Sequence, residues 1–171
     1  MTQKIHHKMT LKSHSKSGWF SGYASVFNVQ DLHNDWVEKG AFEAAIREGP
    51  MPKMLWQHDP AQPIGRWEKM EEHDHGLYVE GQLFLALEKG REAFLLMKEG
   101  VLDGLSIGYE VRQSTPLKGG SLLSDLVLHE VSLVTFPANP AARITDMKQS
   151  DAPLKQRLNA LAEKIELQIN Q

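Results

Sequence analysis

Residues 124–135 read Ser-Asp-Leu-Val-Leu-His-Glu-Val-Ser-Leu-Val-Thr, and this run of aliphatic and β-branched side chains predicts a strand. The next residues, Phe-Pro-Ala-Asn-Pro at 136–140, end the strand because a proline has no N–H to donate to a sheet. Two ionisable side chains, His129 and Glu130, interrupt the apolar run. Strict alternation places Glu130 on the same face as Leu128, so we expect one carboxyl group among apolar side chains. Burial of a lone carboxylate is costly, and Glu130 therefore needs a donor such as an imidazole N–H.

Shorter strand patterns lie on both sides of this segment, at 18–27, 53–58, 64–70, 76–85 and 104–111. Helices are predicted at 40–49 and 88–99 from their apolar spacing and the glycines that end them. The segment 113–121 contains Pro116, Gly119 and Gly120, which predicts a flexible connection that can act as a lid. We expect a β-rich α+β fold, a closed and mostly antiparallel β-barrel flanked by helices.

The length of 171 residues favours one domain with short additions. We assign 1–17, rich in Lys, His, Ser and Thr, to a flexible N-terminal arm and 18–147 to the folded domain. Residues 151–171 form a C-terminal amphipathic helix in this prediction. Its apolar stripe has the helical spacing i, i+4, i+7, i+11 and i+15, and consists of Leu154, Leu158, Leu161, Ile165 and Ile169.

Composition excludes several classes of protein. Lys and Arg number 19 against 22 Asp and Glu, for a net charge of −3, which argues against a general nucleic-acid-binding protein. There is no cysteine, so disulfides, thiolate metal sites and cysteine catalysis are excluded. No apolar run approaches the roughly 20 residues of a membrane span, and 1–17 lacks the apolar core of a secretory signal. We therefore expect a soluble intracellular protein without a membrane partner.

Three reactive side chains stand in strand-like, otherwise apolar segments. His58 ends the strand before Asp59-Pro60, Ser106 lies between two glycines in 104–108, and Glu130 follows later. A serine hydroxyl becomes a good nucleophile when an imidazole takes its proton, and a carboxylate orients that imidazole. These residues supply one of each group, but taken alone the combination is a weak signal, because a chain with eight histidines offers many such sets and an ordinary structural role accounts for each residue.

Two other classes of function are open from the residues. A metal-dependent hydrolase would use His73 and His75, with more nitrogen donors at His6, His7 and His14, but the first pair lies in a polar turn. A non-enzymatic scaffold protein would use the amphipathic stripe of 151–171 to bind a partner. No cofactor or metal is expected in the preferred interpretation.

Several short stretches of the sequence can be read together as a set of motifs. They are Gly-Tyr-Ala-Ser-Val-Phe at 22–27, Lys-Gly-Ala-Phe at 39–42, Trp-Gln-His-Asp-Pro at 56–60, Pro-Ile-Gly-Arg at 63–66, Gly-Leu-Ser-Ile-Gly-Tyr at 104–109 and Glu-Val-Ser-Leu-Val-Thr-Phe-Pro-Ala-Asn-Pro at 130–140. These segments resemble the prohead (capsid maturation) proteases of tailed bacteriophages, the HK97-type family. The resemblance covers about 18–145, with the segments in the family's order.

The resemblance implies a serine endopeptidase related in fold to the herpesvirus assemblins. Carried over by motif, His58 is the general base, Ser106 the nucleophile and Glu130 the group that orients the imidazole. Assemblins use a second histidine in the third role, so His129 is the alternative to Glu130. Backbone amides near Gly108 or Arg143 are candidate oxyanion donors.

The same resemblance implies the partners and the location. The expected substrates are the major capsid protein precursor, scaffold segments and the protease itself. The protein is also implied to act inside the assembling prohead, in the host bacterial cytoplasm. It is further implied to be a homo-oligomer, a dimer by analogy with the assemblins.

Overall fold

The computed structural model describes residues 18–148, and Gly18–Lys148 form one compact unit. The arm predicted at 1–17 and the helix predicted at 151–171 lie outside the described residues. The elements in chain order are β1 (Trp19–Val26), β2 (Asp35–Val37), α1 (Glu43–Glu48), β3 (Lys53–Trp56), β4 (Asp59–Glu72), β5 (Gly76–Leu83), α2 (Glu88–Lys98), β6 (Gly104–Leu117), β7 (Gly120–Val134) and β8 (Ile144–Lys148).

Eight strands form a single sheet in the order β2-β7-β3-β4-β5-β1-β8, with β6 paired to β7. Most pairs are antiparallel, but β7 is long enough to pair in parallel with both β2 and β3 on one side while it pairs with β6 on the other. The predicted β-rich α+β class with a mostly antiparallel sheet is confirmed. The strand order places β7, which carries Glu130, in the interior of the sheet.

The predicted closure into a barrel is wrong. The chain before β8 meets the start of β6 at one isolated bridge, Gly104 with Arg143, supported by hydrogen bonds from Leu105 N to Ala142 O and from Ile144 N to Asp103 O. Beyond this bridge β8 pairs with β1, and β6 continues along β7. Pro137 and Pro140 lack the N–H groups that a closing ladder would need next to the bridge.

The long connection predicted between β6 and β7 is a β-hairpin instead. β6 extends to Leu117 and β7 begins at Gly120, and the two strands are paired up to Leu117 with Gly120. The prediction of a flexible connection at 113–121 is therefore wrong, because 113–117 and 120–121 belong to paired strands, and the lid role stays a prediction. Pro116 fits because it lies on the edge strand β6, where its missing N–H breaks no ladder.

The strand predicted to run from 53 to 58 and to end before Asp59-Pro60 ends earlier, at Trp56. Gln57 and His58 form a two-residue turn between β3 and β4. Trp56 pairs with Asp59, so β4 begins at Asp59 directly after the turn. Both turn residues have positive φ, 52° for Gln57 and 62° for His58, as a type I′ hairpin turn requires. Asn-Gly and Asp-Gly are the usual signals for this turn, and Gln-His carries neither of them.

A β-bulge in β7 reverses the predicted facing of Glu130. Gly108 pairs with Glu130 and the next residue of β6, Tyr109, pairs with Leu128, which leaves His129 as the extra residue of the bulge. Leu126 and Leu128 then share the hydrophobic core with Val131 and Leu133, while Glu130 and Ser132 are not in it. The expectation that Glu130 shares a face with Leu128 is therefore wrong.

Two helices cover parts of the sheet. Glu72 of β4 accepts hydrogen bonds from the backbone N–H groups of Gly40 (2.8 Å) and Phe42 (2.8 Å), which fixes the chain just before α1. α2 buries Ala93 and Met97 and approaches the backbone so closely at Gly90 that a Cβ there would lie 2.3 Å from Phe84 O. No helix among residues 18–148 is long and apolar enough to cross a membrane.

Candidate active site

A cavity of about 320 Å³ opens beside β6, next to the point where the sheet stays unclosed. His58 and Ser106 both line this cavity. The lining also includes Ala24 and Ser25 of β1, the alternate residues Val29, Asp31, His33 and Asp35, and Asn139. The cavity therefore brings together two residues that are 48 positions apart in the sequence.

The loop before β2 builds one wall of this cavity. Asp31 Oδ1 accepts hydrogen bonds from the backbone N–H groups of His33 (2.8 Å) and Asp35 (2.9 Å). Asp35 Oδ1 accepts from Ser121 N at 3.0 Å, which ties the loop to β7. These carboxylates stabilise the loop backbone, as short acidic side chains commonly do in turns.

Ser106 lies on β6 directly opposite Ser132 of β7. Residues opposite each other in an antiparallel pair present their side chains on the same face, so Ser106, Gly108, Glu130 and Ser132 share one face of the β6–β7 pair. Ser106 is only 4% exposed. Its hydroxyl makes no hydrogen bond within residues 18–148, so the structure places it at the cavity without a direct bond to His58.

His58 is joined to Glu130 through one ring nitrogen. The distance from His58 Nδ1 to Glu130 Oε1 is 2.5 Å, and an ionised carboxylate can only accept, so Nδ1–H donates. This leaves Nε2 as the ring nitrogen that can serve another partner. The imidazole is 43% exposed and the Glu130 side chain 13%, so the carboxylate lies below the imidazole, further from solvent.

The other oxygen of Glu130 is held by Ser132. Ser132 Oγ–H donates to Glu130 Oε2 at 2.6 Å, and the same Oγ accepts the backbone N–H of His58 at 3.2 Å. Gly108 lies directly against this carboxylate, because a Cβ on Gly108 would lie 2.2 Å from Glu130 Oε1. The carboxylate is thus fixed from three sides.

Glu130 changes the protonation of His58. The hydrogen bond to Glu130 raises the pKa of His58 above its usual range, against the opposing effect of burial, and the charge of Glu130 adds to the rise. A carboxylate that stabilises the imidazolium in this way makes the ring a stronger base towards a neighbouring hydroxyl. Tyr109 lines the same cavity. Burial raises the pKa of its hydroxyl, and the negative charges of Asp31 and Asp35 raise it further.

His129, the alternative to Glu130, lies elsewhere. Its side chain is 59% exposed, and its Nε2 is 3.9 Å from Glu110 Oε2. It is the extra residue of the bulge in β7, and it does not line the cavity. Within residues 18–148 the hydrogen-bonding partner of the His58 imidazole is Glu130.

The histidines considered for a metal site have other partners. His73 Nδ1 lies 3.3 Å from the Tyr23 hydroxyl, and His75 packs edge-to-face on the Tyr23 ring with centroids 4.7 Å apart. Asp74 pairs with Lys39. Across residues 18–148 no group of three or more acidic or histidine side chains is arranged to hold a metal ion. His6, His7 and His14 lie outside the described residues.

Three contacts around His58 and Glu130 were not predicted from the sequence. They are made by Ser132, which bonds both residues, by Gly108, which lies against Glu130, and by Gln57, which precedes His58 in the turn. Gln57 Nε2–H donates to Thr135 Oγ1 at 2.8 Å, and Thr135 N–H donates to Gln57 Oε1 at 3.3 Å, so the turn carrying His58 is fastened to the end of β7. The only signal in the sequence was the small size of Ser132 and Gly108 beside reactive residues.

Comparison with known proteins identifies the family. The profile of the family described as Caudovirus prohead serine protease matches residues 5–157. The chain belongs to this family, and the resemblance seen in the sequence is confirmed. The prohead protease of Enterobacteria phage HK97 is 36% identical over 141 residues, which are 80% of this chain and 63% of the phage protein. The chain thus spans less than two thirds of that relative's length.

Two solved structures share the fold at low sequence identity. The KSHV protease in complex with a hexapeptide phosphonate inhibitor has a TM-score of 0.54 at 14% identity, covering 86% of this chain and 76% of that one. The bacteriophage T4 capsid assembly protease has a TM-score of 0.51 at 12% identity, covering 68% and 82%. The predicted relation to the herpesvirus assemblin fold is therefore confirmed, apart from the closed barrel.

Proposed function

We propose that the chain is a serine endopeptidase of phage capsid maturation, with Ser106 as nucleophile, His58 as general base and Glu130 as the group that orients His58. The observation that carries the proposal is the 2.5 Å contact of His58 Nδ1 with Glu130 Oε1, in the wall of the cavity that Ser106 also lines. A carboxylate on Nδ1 leaves Nε2 to accept the serine proton, which is the arrangement that acyl transfer needs.

The reaction follows from these roles. Ser106 Oγ attacks the carbonyl carbon of a peptide bond while His58 Nε2 takes the hydroxyl proton. The imidazolium, stabilised by Glu130, then gives that proton to the leaving amine, and an acyl-enzyme remains on Ser106. Water, deprotonated by His58, hydrolyses the ester and restores the serine. The Ser106 hydroxyl makes no hydrogen bond within residues 18–148, so its bond to His58 Nε2 belongs to the complex with substrate, where catalytic hydrogen bonds commonly tighten.

Backbone N–H groups complete the chemistry by stabilising the oxyanion. The amide of Gly108 is one proposed donor, since Gly108 lines the cavity next to Ser106. The amide of Arg143 is the other, because the bridge to Gly104 brings 143 beside the strand that carries Ser106.

The expected substrates are the capsid protein precursor, scaffold segments and the protease itself, cleaved inside the assembling prohead in the host bacterial cytoplasm. Family membership supports this proposal, as does the HK97 relative, which is itself a prohead protease. Self-association, as a dimer by analogy with the assemblins, belongs to the same proposal.

The test is co-expression with the capsid precursor of the same phage, followed by mass spectrometry of the products. Wild type is compared with Ser106→Ala and with Ser114→Ala, a matched change of an exposed serine on the same strand. New termini are expected with wild type and Ser114→Ala and not with Ser106→Ala. Identical termini with Ser106→Ala, or loss of cleavage on addition of EDTA, would reject the serine mechanism.

A further inference from the structure

We propose that Ser132 is a positioning residue of this site, one that holds the Glu130 carboxylate and the His58 backbone in a fixed relation. This inference rests on the proposed roles of His58, Ser106 and Glu130 and extends them. Ser132 Oγ–H donates to Glu130 Oε2 at 2.6 Å, while Ser132 Oγ accepts from His58 N–H at 3.2 Å. One hydroxyl therefore links both partners of the His58–Glu130 pair.

Burial makes these bonds effective. Ser132 is 0% exposed, so water does not compete for its hydroxyl. A buried hydroxyl that lost either partner would be left partly unsatisfied, which costs free energy. A hydroxyl can donate one hydrogen bond and accept others at the same time, and Ser132 uses both capacities.

The backbone of His58 needs such support. Its φ of 62° is an unfavourable conformation for a residue with a side chain, and Gln57 before it has a φ of 52°. The N–H of His58 is held by Ser132, and the side chain of Gln57 is held by Thr135. Both residues of the turn are thereby hydrogen-bonded to β7 or to the residue that follows it, Gln57 through its side chain and His58 through its backbone N–H.

The position of Ser132 within the sheet explains why a small hydroxyl residue is required. Ser132 lies opposite Ser106 on β6 and is also paired with Leu55 of β3. It is two residues from Glu130, so both side chains point to the same face of β7 and can meet. A hydroxyl at this place touches the general base and its carboxylate without occupying the cavity.

The test compares two matched pairs of variants: wild type with Ser132→Ala, and Ser132→Thr with Ser132→Val. Threonine and valine have the same shape and differ in the hydroxyl. Loss of the hydroxyl is expected to lower kcat about 10- to 100-fold with little change in KM, because the base is displaced while the cavity is kept. Ser132→Thr is expected to retain more activity than Ser132→Val, and Ser21→Ala, another buried serine, to leave kcat unchanged.

A second measurement does not depend on turnover. The Nδ1–H proton of His58 is followed by NMR, and its resonance is expected to shift upfield or broaden in Ser132→Ala and Ser132→Val but not in Ser21→Ala. Equal kcat values and equal resonances in wild type and Ser132→Ala would overturn the role of Ser132. Full activity of Ser106→Ala would instead overturn the proposed function, so the two failures are distinguishable.

Discussion

Gly108 and Glu130 lie opposite each other across β6 and β7, and there is no room between them for a single methyl group. A Cβ on Gly108 would be 2.2 Å from Glu130 Oε1, the oxygen that contacts His58 Nδ1. The second glycine of the Gly-Leu-Ser-Ile-Gly segment therefore gives the carboxylate its space.

Gly108→Ala is expected to displace Glu130 from His58 and to lower kcat at least 10-fold while the fold is retained. A carboxylate is a flexible group, but here His58 and Ser132 fix it, so any shift breaks one of their bonds. The check is a double-mutant cycle with Glu130→Ala. If the clash is the cause, Gly108→Ala has a smaller effect on kcat and stability in the Glu130→Ala background, and equal effects would contradict it.

Glu130→Gln is expected to lower kcat by roughly 10²- to 10⁴-fold and to move the acid limb of the pH–rate profile to lower pH. The pKa of His58 is raised by Glu130, so the acid limb of the wild type is expected above the ordinary histidine value of about 6.5. The neutral amide of glutamine keeps the shape and removes the charge. An unchanged acid limb would show that Glu130 does not set the protonation of His58.

The same pair gives stability a pH dependence. Because folding raises the pKa of His58, the protonated imidazole contributes stability below the unfolded pKa of about 6.5, and this contribution is lost as the pH rises through the higher folded pKa. Urea unfolding is measured at pH 6 and pH 9. Glu130→Gln is expected to lower the free energy of unfolding relative to wild type, and to lower it more at pH 6 than at pH 9. A loss of unfolding free energy that is larger at pH 9 would contradict this assignment.

The bonds between Gln57 and Thr135 are expected to stabilise the turn that carries His58. Gln57→Ala and Thr135→Val each remove a partner and are expected to lower the free energy of unfolding by about 0.5–1.5 kcal/mol, with a smaller loss of kcat. Since both changes break the same contact, the double variant should lose less than the sum of the two. Fully additive losses would mean that the contact does not form in solution.

Glu72 and its neighbour Glu71 offer a matched pair for stability outside the site. Glu72 accepts from two backbone N–H groups before α1, whereas Glu71 pairs at the surface with Lys69. Glu72→Ala is expected to cost about 1–3 kcal/mol of unfolding free energy, and Glu71→Ala is expected to cost clearly less because its ion pair lies in solvent. Thermal or urea unfolding measures both, and similar costs would reject the anchoring role of Glu72.

Residues with strong local preferences were predictable from the sequence. The predicted strands around Ser106 and Glu130 are strands, and 88–99 matches α2 to within one residue, because apolar periodicity reports burial directly. The short strands at the two ends of the strand order were less predictable. β2 and β8 have only three and five residues, and each forms because a neighbouring strand offers it hydrogen bonds.

The sequence by itself determined which chemical groups are present and which strands carry them: a serine between glycines on β6, a histidine after β3 and a glutamate on β7. Tertiary structure alone decided how these groups face one another. The bulge at His129 turns Glu130 away from the core, and the positive φ values at Gln57 and His58 bend the chain towards it. Both depend on hydrogen bonds between distant residues, such as His58 with Ser132, which no local pattern encodes.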